Sequence, residues 1–205
     1  KARKSLVFIS GTFKILYAII THMPAEIPTT TPEKKEMADD NARKFIVSTA
    51  IDPEFLREHS AEQFLLTTDW LEMSETSEKK LAHKHYPNGD IKILLIQKFR
   101  SGDKTSVPPK EKLTPEQYQE LLPHSIERVA KTRYEFDFPL PDLEQSDPVF
   151  TIKYDEFVDS ELRILEVDAA TDDARSSFTP TDFPYELTEV TGQMQYYGYR
   201  VADVV

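Results

Sequence analysis

A chain of 205 residues with 39% hydrophobic and 30% charged residues has the balance of a folded, water-facing protein, long enough for one domain with a sizeable core. Its formal net charge of −11 repels nucleic acid and anionic membranes, so any phosphate-binding site has to be local and sheltered from that field. With no cysteine, disulfides, zinc ribbons and thiol catalysis are excluded.

In chain order, Lys1, Arg3 and Lys4 precede the apolar stretch "SLVFISGTFKILYAII", which looks like a signal sequence or short membrane segment. Lys14 splits that stretch and leaves it too short and too polar to span a bilayer. A Pro/Thr-rich linker, "PAEIPTTTPEKKE", follows. The expectation is an N-terminal extension and linker over 1–36, dispensable for folding, ahead of a domain over 37–205, in a cytoplasmic protein. From Arg43 onward the dominant pattern is period-2 alternation, which predicts strands near 43–48, 63–72, 79–86, 91–99, 105–113, 127–138, 149–157 and 162–169. "YPNGD" (86–90) and "RSGD" (100–103) predict turns, and Gly192 a third. "DPEFLREHS" (52–60) and "TPEQYQELL" (114–122) each place a good N-cap before a proline and predict short helices. The fold class that follows is α+β: an antiparallel closed β-barrel of about eight strands with a few short peripheral helices.

Which residues share a strand face is the informative feature. In "VAKTRYEFDF", Lys131, Arg133, Glu135 and Asp137 alternate with Ala130, Thr132, Tyr134, Phe136 and Phe138. In "VFTIKYDEF", Thr151, Lys153 and Asp155 share one face, and in "LRILEVDAA" Glu166 and Asp168 share theirs with Ile164. A solvated face of an antiparallel sheet explains any one such strand. Both signs of charge recurring across several strands fit a barrel whose polar face turns inward. Carboxylates there would hold Mg²⁺ or Mn²⁺, and the cations would clamp phosphoryl groups. Trp70 is expected in core or rim packing, and the pair His83 and His85 at the surface.

Four segments, in order, resemble the CYTH superfamily of triphosphate tunnel metalloenzymes, which includes class IV adenylyl cyclases and thiamine triphosphatases. They are "DNARKFIV" (40–47), "VAKTRY" (129–134), "LRILEVD" (162–168) and "EVTGQMQY" (189–196). The resemblance implies a triphosphate-binding tunnel, with Lys44, Lys131 and Arg133 as catalytic cations. Lys44, Lys84, Lys98, Lys131, Arg133 and Lys153 would contact substrate, and Asp40, Glu166, Asp168 and Glu189 would hold Mg²⁺ or Mn²⁺. It implies a small-molecule triphosphate as partner, and neither DNA nor membrane.

The chain departs from the family pattern at several positions: Asp40 replaces the first glutamate of the opening motif, and only "LAHKHY" (81–86) represents the arginine-rich third strand. Ala42 stands where the opening motif has its second glutamate, and Lys153 where an aspartate is usual thirteen residues before the acidic pair. Two readings remain at this stage. One is a metal-dependent phosphohydrolase acting on inorganic triphosphate, thiamine triphosphate or a nucleotide, with a cyclase as the less favoured variant. The other is a catalytically impaired module that binds a polyanion or a protein partner.

Overall fold

The computed structural model describes residues 38–39, 42–101, 104–139, 149–158 and 160–203. The 1–36 extension and Asp40 lie outside them. In chain order the strands are β1 (Ala38–Asp39), β2 (Arg43–Val47), β3 (Glu62–Met73), β4 (Ser77–His85), β5 (Ile91–Ser101), β6 (Lys104–Val107), β7 (Glu111–Lys112), β8 (Glu127–Pro139), β9 (Val149–Phe157), β10 (Arg163–Asp168) and β11 (Leu187–Glu189). Among the described residues three short helices accompany them: α1 (Pro53–Glu58), α2 (Pro115–Leu121) and α3 (Asp172–Ser177). The segment after β11 turns through two short 3₁₀ helices, Met194–Tyr196 and Gly198–Asp203.

All the strand pairs are antiparallel, in the order β1-β6-β5-β4-β3-β8-β9-β10-β2-β11, with β7 also on β5. The sheet is an open half-barrel compatible with a tunnel; among the described residues β11 pairs only with β2, and no pairing there joins it to the β1 edge to close the expected barrel. Eleven strands replace the expected eight, since β1, β7 and β11 are two or three residues long and carry too little alternation to read. The strand expected over 105–113 is two strands, split at Pro108 and Pro109, which have no N–H to give to a ladder.

Local chemistry sets the element ends. Asp52 accepts the Glu54 N–H at 2.7 Å to start α1, and Thr114 and Gln117 form a reciprocal capping box on α2. Thr171 accepts the Ala174 N–H at 3.1 Å to start α3, a helix that its capped, acidic first turn announces but strand reading passed over. Gly89 (φ 90°) and Gly192 (φ 81°) take the left-handed conformation that their turns require.

Most large apolar alternate positions of β2, β8, β9 and β10 fall on the convex face. Phe45, Phe136, Phe150, Ile152, Tyr154, Leu165 and Val167 form its largest cluster, joined by Leu56 of α1 and by Phe178 and Phe183. Leu81 and Ile93 form a second patch with Leu113 and with Tyr118 of α2. Each large side chain buried here contributes roughly 1.5–3 kcal/mol. This packing fixes which way the other alternate positions point: toward the concave face.

Candidate functional site: a cation-lined trough

The concave face encloses a cavity of about 410 Å³. Ten lysines and arginines line it against five acids, in a chain whose net charge is −11. Their places follow from register. On β8, Lys131, Arg133 and Glu135 point in while Phe136 and Phe138 sit in the convex core. On β4, Glu78, Lys80, Ala82 and Lys84 point in because Leu81 is claimed by the α2 patch. On β5 the inward set is Lys92, Leu94, Ile96, Lys98 and Arg100.

Across β8, β9, β10 and β2 the register builds a row of alternating sign. Glu135 faces Lys153, Lys153 faces Glu166, and Glu166 faces Lys44. Lys44 donates to Glu166 Oε1, and the Arg133 guanidinium lies 3.6 Å from Glu166 Oε2. One step along, Arg133 donates from Nε and Nη2 to the two oxygens of Asp155, both at 2.6 Å, and Lys131 Nζ donates to Oδ2 at 2.5 Å. Lys153 Nζ lies 3.8 Å from Asp168 Oδ2. On the other wall, Glu78 is 1% exposed and held by Lys80 at 2.7 Å and Arg100 at 2.5 Å. Lys84 lies 3.6 Å from Glu135 and 3.9 Å from the centre of the Phe64 ring.

Burial and charge act against each other here. Burial pushes the Lys131 amine down to about 8, with Arg133 adding to the effect and Asp155 opposing it. Burial does the same to Lys98, also to about 8, although Glu166 pulls the other way. That Lys98 of β5 senses Glu166 and Lys153 of the opposite wall reflects the curvature of the half-barrel. Burial alone would raise Glu166, but Lys44 and Arg133 hold it well below the usual carboxylate range. Burial opposes charge on Arg133 too, and Asp155 and Glu166 outweigh it and keep the guanidinium protonated.

Part of the cavity lining is apolar. Trp70, Val129, Phe157 and Ile164 pack with Val201 and Tyr196 of the C-terminal turns. The Trp70 Nε1 is buried and has no acceptor among the described residues. The Tyr197 ring lies 4.9 Å from Lys44 Nζ, and its hydroxyl accepts the Gly192 N–H at 3.1 Å.

Of the residues expected to contact substrate, the structure brings Lys44, Lys84, Lys98, Lys131, Arg133 and Lys153 to this one cavity, together with Glu166 and Asp168. It does not bring Glu189, which pairs in register with Phe45 and so shares the convex face. There it accepts from Arg43 Nε at 3.0 Å and Nη2 at 2.8 Å. His83 is also convex, its ring tilted against those of Tyr118 and His85. Asp155, Glu78, Lys80, Arg100, Lys92, Lys110 and Glu135 line the cavity without having been singled out as site residues. Two-residue steps from Lys153, Lys98 and Lys84 along their own strands reach Asp155, Arg100, Lys80 and Glu78, and that was the signal available.

The acids are engaged by cations. Glu166 is held by Lys44 and Arg133, and Asp168 lies near Lys153 and 3.5 Å from Arg175. Among the described residues no three His, Asp or Glu side chains gather as a metal-binding group. Among the described residues this donor set does not fit Mg²⁺ or Mn²⁺, which need several oxygens turned to one point; Asp40, expected as a ligand, lies outside them.

Neither a family model nor a curated protein sequence matches the chain. Among solved structures, the inorganic triphosphatase NE1496 is 24% identical, with a TM-score of 0.51 over 80% of this chain and 94% of that one. A second structure, of the hypothetical protein NE1496, gives 23%, 0.50, 80% and 97%. The PH1819 protein from Pyrococcus horikoshii OT3 is 13% identical, with a TM-score of 0.48 over 78% of this chain and 93% of that one. The chain shares the fold of these NE1496 structures. No helix among the described residues is long and apolar enough to cross a membrane.

Proposed function

We propose that the chain binds a triphosphate-containing compound in the concave face and hydrolyses a phosphoanhydride bond in it. One observation carries this reading: ten cations converge on one cavity of a strongly acidic chain. Concentrating like charge in a partly buried space is costly unless an anion uses it, and a polyphosphate matches both the sign and the spread of these groups. The fold shared with an inorganic triphosphatase supports the same reaction class. Arg133, Lys131 and Lys44 would contact the phosphoryl oxygens, and their positive charge would offset the charge that develops there as water attacks and the bridging P–O bond breaks.

A second reading, a binding module without turnover, is favoured by Ala42 and by the engaged state of Glu166 and Asp168. The test is calorimetric titration with tripolyphosphate, thiamine triphosphate and ATP, beside phosphate release from each. Binding with release supports the hydrolase, binding alone supports the module, and no binding of any of the three defeats both.

A further inference from the structure

We infer that Lys153 is a built-in cation that takes the place of a divalent metal, so that this site holds its polyphosphate without one. The inference rests on the reading that the concave face binds a polyphosphate. Register sets Lys153 between Glu135 on β8 and Glu166 on β10, and Asp168 Oδ2 lies 3.8 Å from its Nζ. Lys153 therefore has a glutamate in register on either side of β9, and Asp168 is the carboxylate nearest its ammonium group. Lys153 is also among the charges that keep Glu166 ionised, after Lys44, Arg133 and Lys131. A hard divalent ion at the same place would have to draw these oxygens away from their partners and stand beside a fixed positive charge. The ammonium already supplies the service such an ion would give: it lets acids and phosphate oxygens share one space. Across the cavity, Lys98 and Lys110 sense Lys153, so an anion between the walls meets positive charge from both sides.

The experiment uses the full chain and two probes, Mn²⁺ alone and tripolyphosphate, by calorimetry in EDTA and in excess Mn²⁺. The native chain is expected to bind tripolyphosphate in EDTA at least as tightly as with Mn²⁺, and to show no Mn²⁺ binding by itself. Lys153→Asp puts a fourth carboxylate beside Glu135, Glu166 and Asp168. It should lose tenfold or more of its metal-free tripolyphosphate affinity, bind Mn²⁺ alone, and regain affinity when Mn²⁺ is present. Lys153→Met, which adds no acid, should lose metal-free affinity and gain no response to Mn²⁺. If the native chain binds tripolyphosphate only with Mn²⁺, the inference is overturned while the proposed function stands. Binding in neither condition overturns both. A folded Lys153→Asp chain, judged by its melting curve, that ignores Mn²⁺ also overturns the inference. Should that variant not fold, the native comparison and Lys153→Met decide the matter.

Discussion

Asp155 and Arg133 face each other across β9 and β8, joined by two hydrogen bonds of 2.6 Å, with the carboxylate 1% exposed. A planar fork bound on both oxygens cannot turn, so Asp155 fixes the direction in which the rest of the guanidinium is offered to the cavity. Asp155→Asn would leave Arg133 and Lys131 buried without their anion. We expect a loss of about 3–5 kcal/mol in urea unfolding, the range for breaking one side of a buried pair. Added tripolyphosphate should restore part of it by supplying the missing negative charge.

Arg133→Ala removes the largest donor group on the concave face of β8. Tripolyphosphate affinity should fall by about 1.5–3 kcal/mol, the worth of hydrogen bonds to a charged group, in EDTA and in Mn²⁺ alike. An unchanged dissociation constant would place the anion elsewhere on the protein.

The pH dependence has opposite signs for binding and for folding. Lys131 and Lys98 are pulled from the usual lysine value to about 8 in the folded chain. Between pH 8 and about 10.5 the unfolded state therefore binds more protons than the folded one, and stability rises with pH across that window. Below pH 8 both states are protonated and these two groups give no slope. Anion binding runs the other way, because the ligand needs the ammonium forms. Metal-free tripolyphosphate affinity should fall above pH 8 by roughly tenfold per pH unit for each lysine that must be recharged. Titrations from pH 7 to 9.5 beside melting curves over the same range check both signs.

The convex face supplies a control. Asp69, with no exposure, accepts from the Tyr118 hydroxyl at 3.0 Å and from Arg128 Nε at 2.5 Å, tying α2 to β3 and β8. Arg128→Ala should cost about 1–3 kcal/mol of stability, the penalty for an under-satisfied buried acceptor. Tripolyphosphate affinity at a temperature where the variant is folded should be unchanged, because this ion pair lies on the opposite face of the sheet.

How much of this was legible in the sequence varied with how local the deciding force is. Strands β8 and β9 were legible because one face is largely apolar and the other largely charged over at least nine residues, and β3 and β5 because they are long runs rich in strand-forming residues. The inward set on β8 was legible for the same reason. Register on β4 was not, since "EKKLAHKH" carries polar groups on both faces. Leu81, at 0% exposure, decides it by joining a core made with residues of α2 and β5. Asp155 reads as an ordinary wet-face charge until β8 brings Arg133 opposite it. Glu189 was placed by a motif, yet its pairing with Phe45 turns it outward to Arg43. Closure of the sheet depends on pairing between strands at opposite ends of the chain, which no local pattern encodes.

The strict alternation of β8 makes the strand intolerant of changes in length. Phe136 and Phe138 anchor the convex core while Lys131 and Arg133, a few residues earlier, face the cavity. A one-residue deletion at Tyr134 would keep composition and charge almost intact. If the aromatic anchors held, Lys131 and Arg133 would be driven to the outside; if the cations held, two phenylalanines would be driven into the cavity. Point substitutions along β8 can therefore be sorted by face, into those that bear on folding and those that bear on the ligand, whereas a single-codon gap strikes both at once.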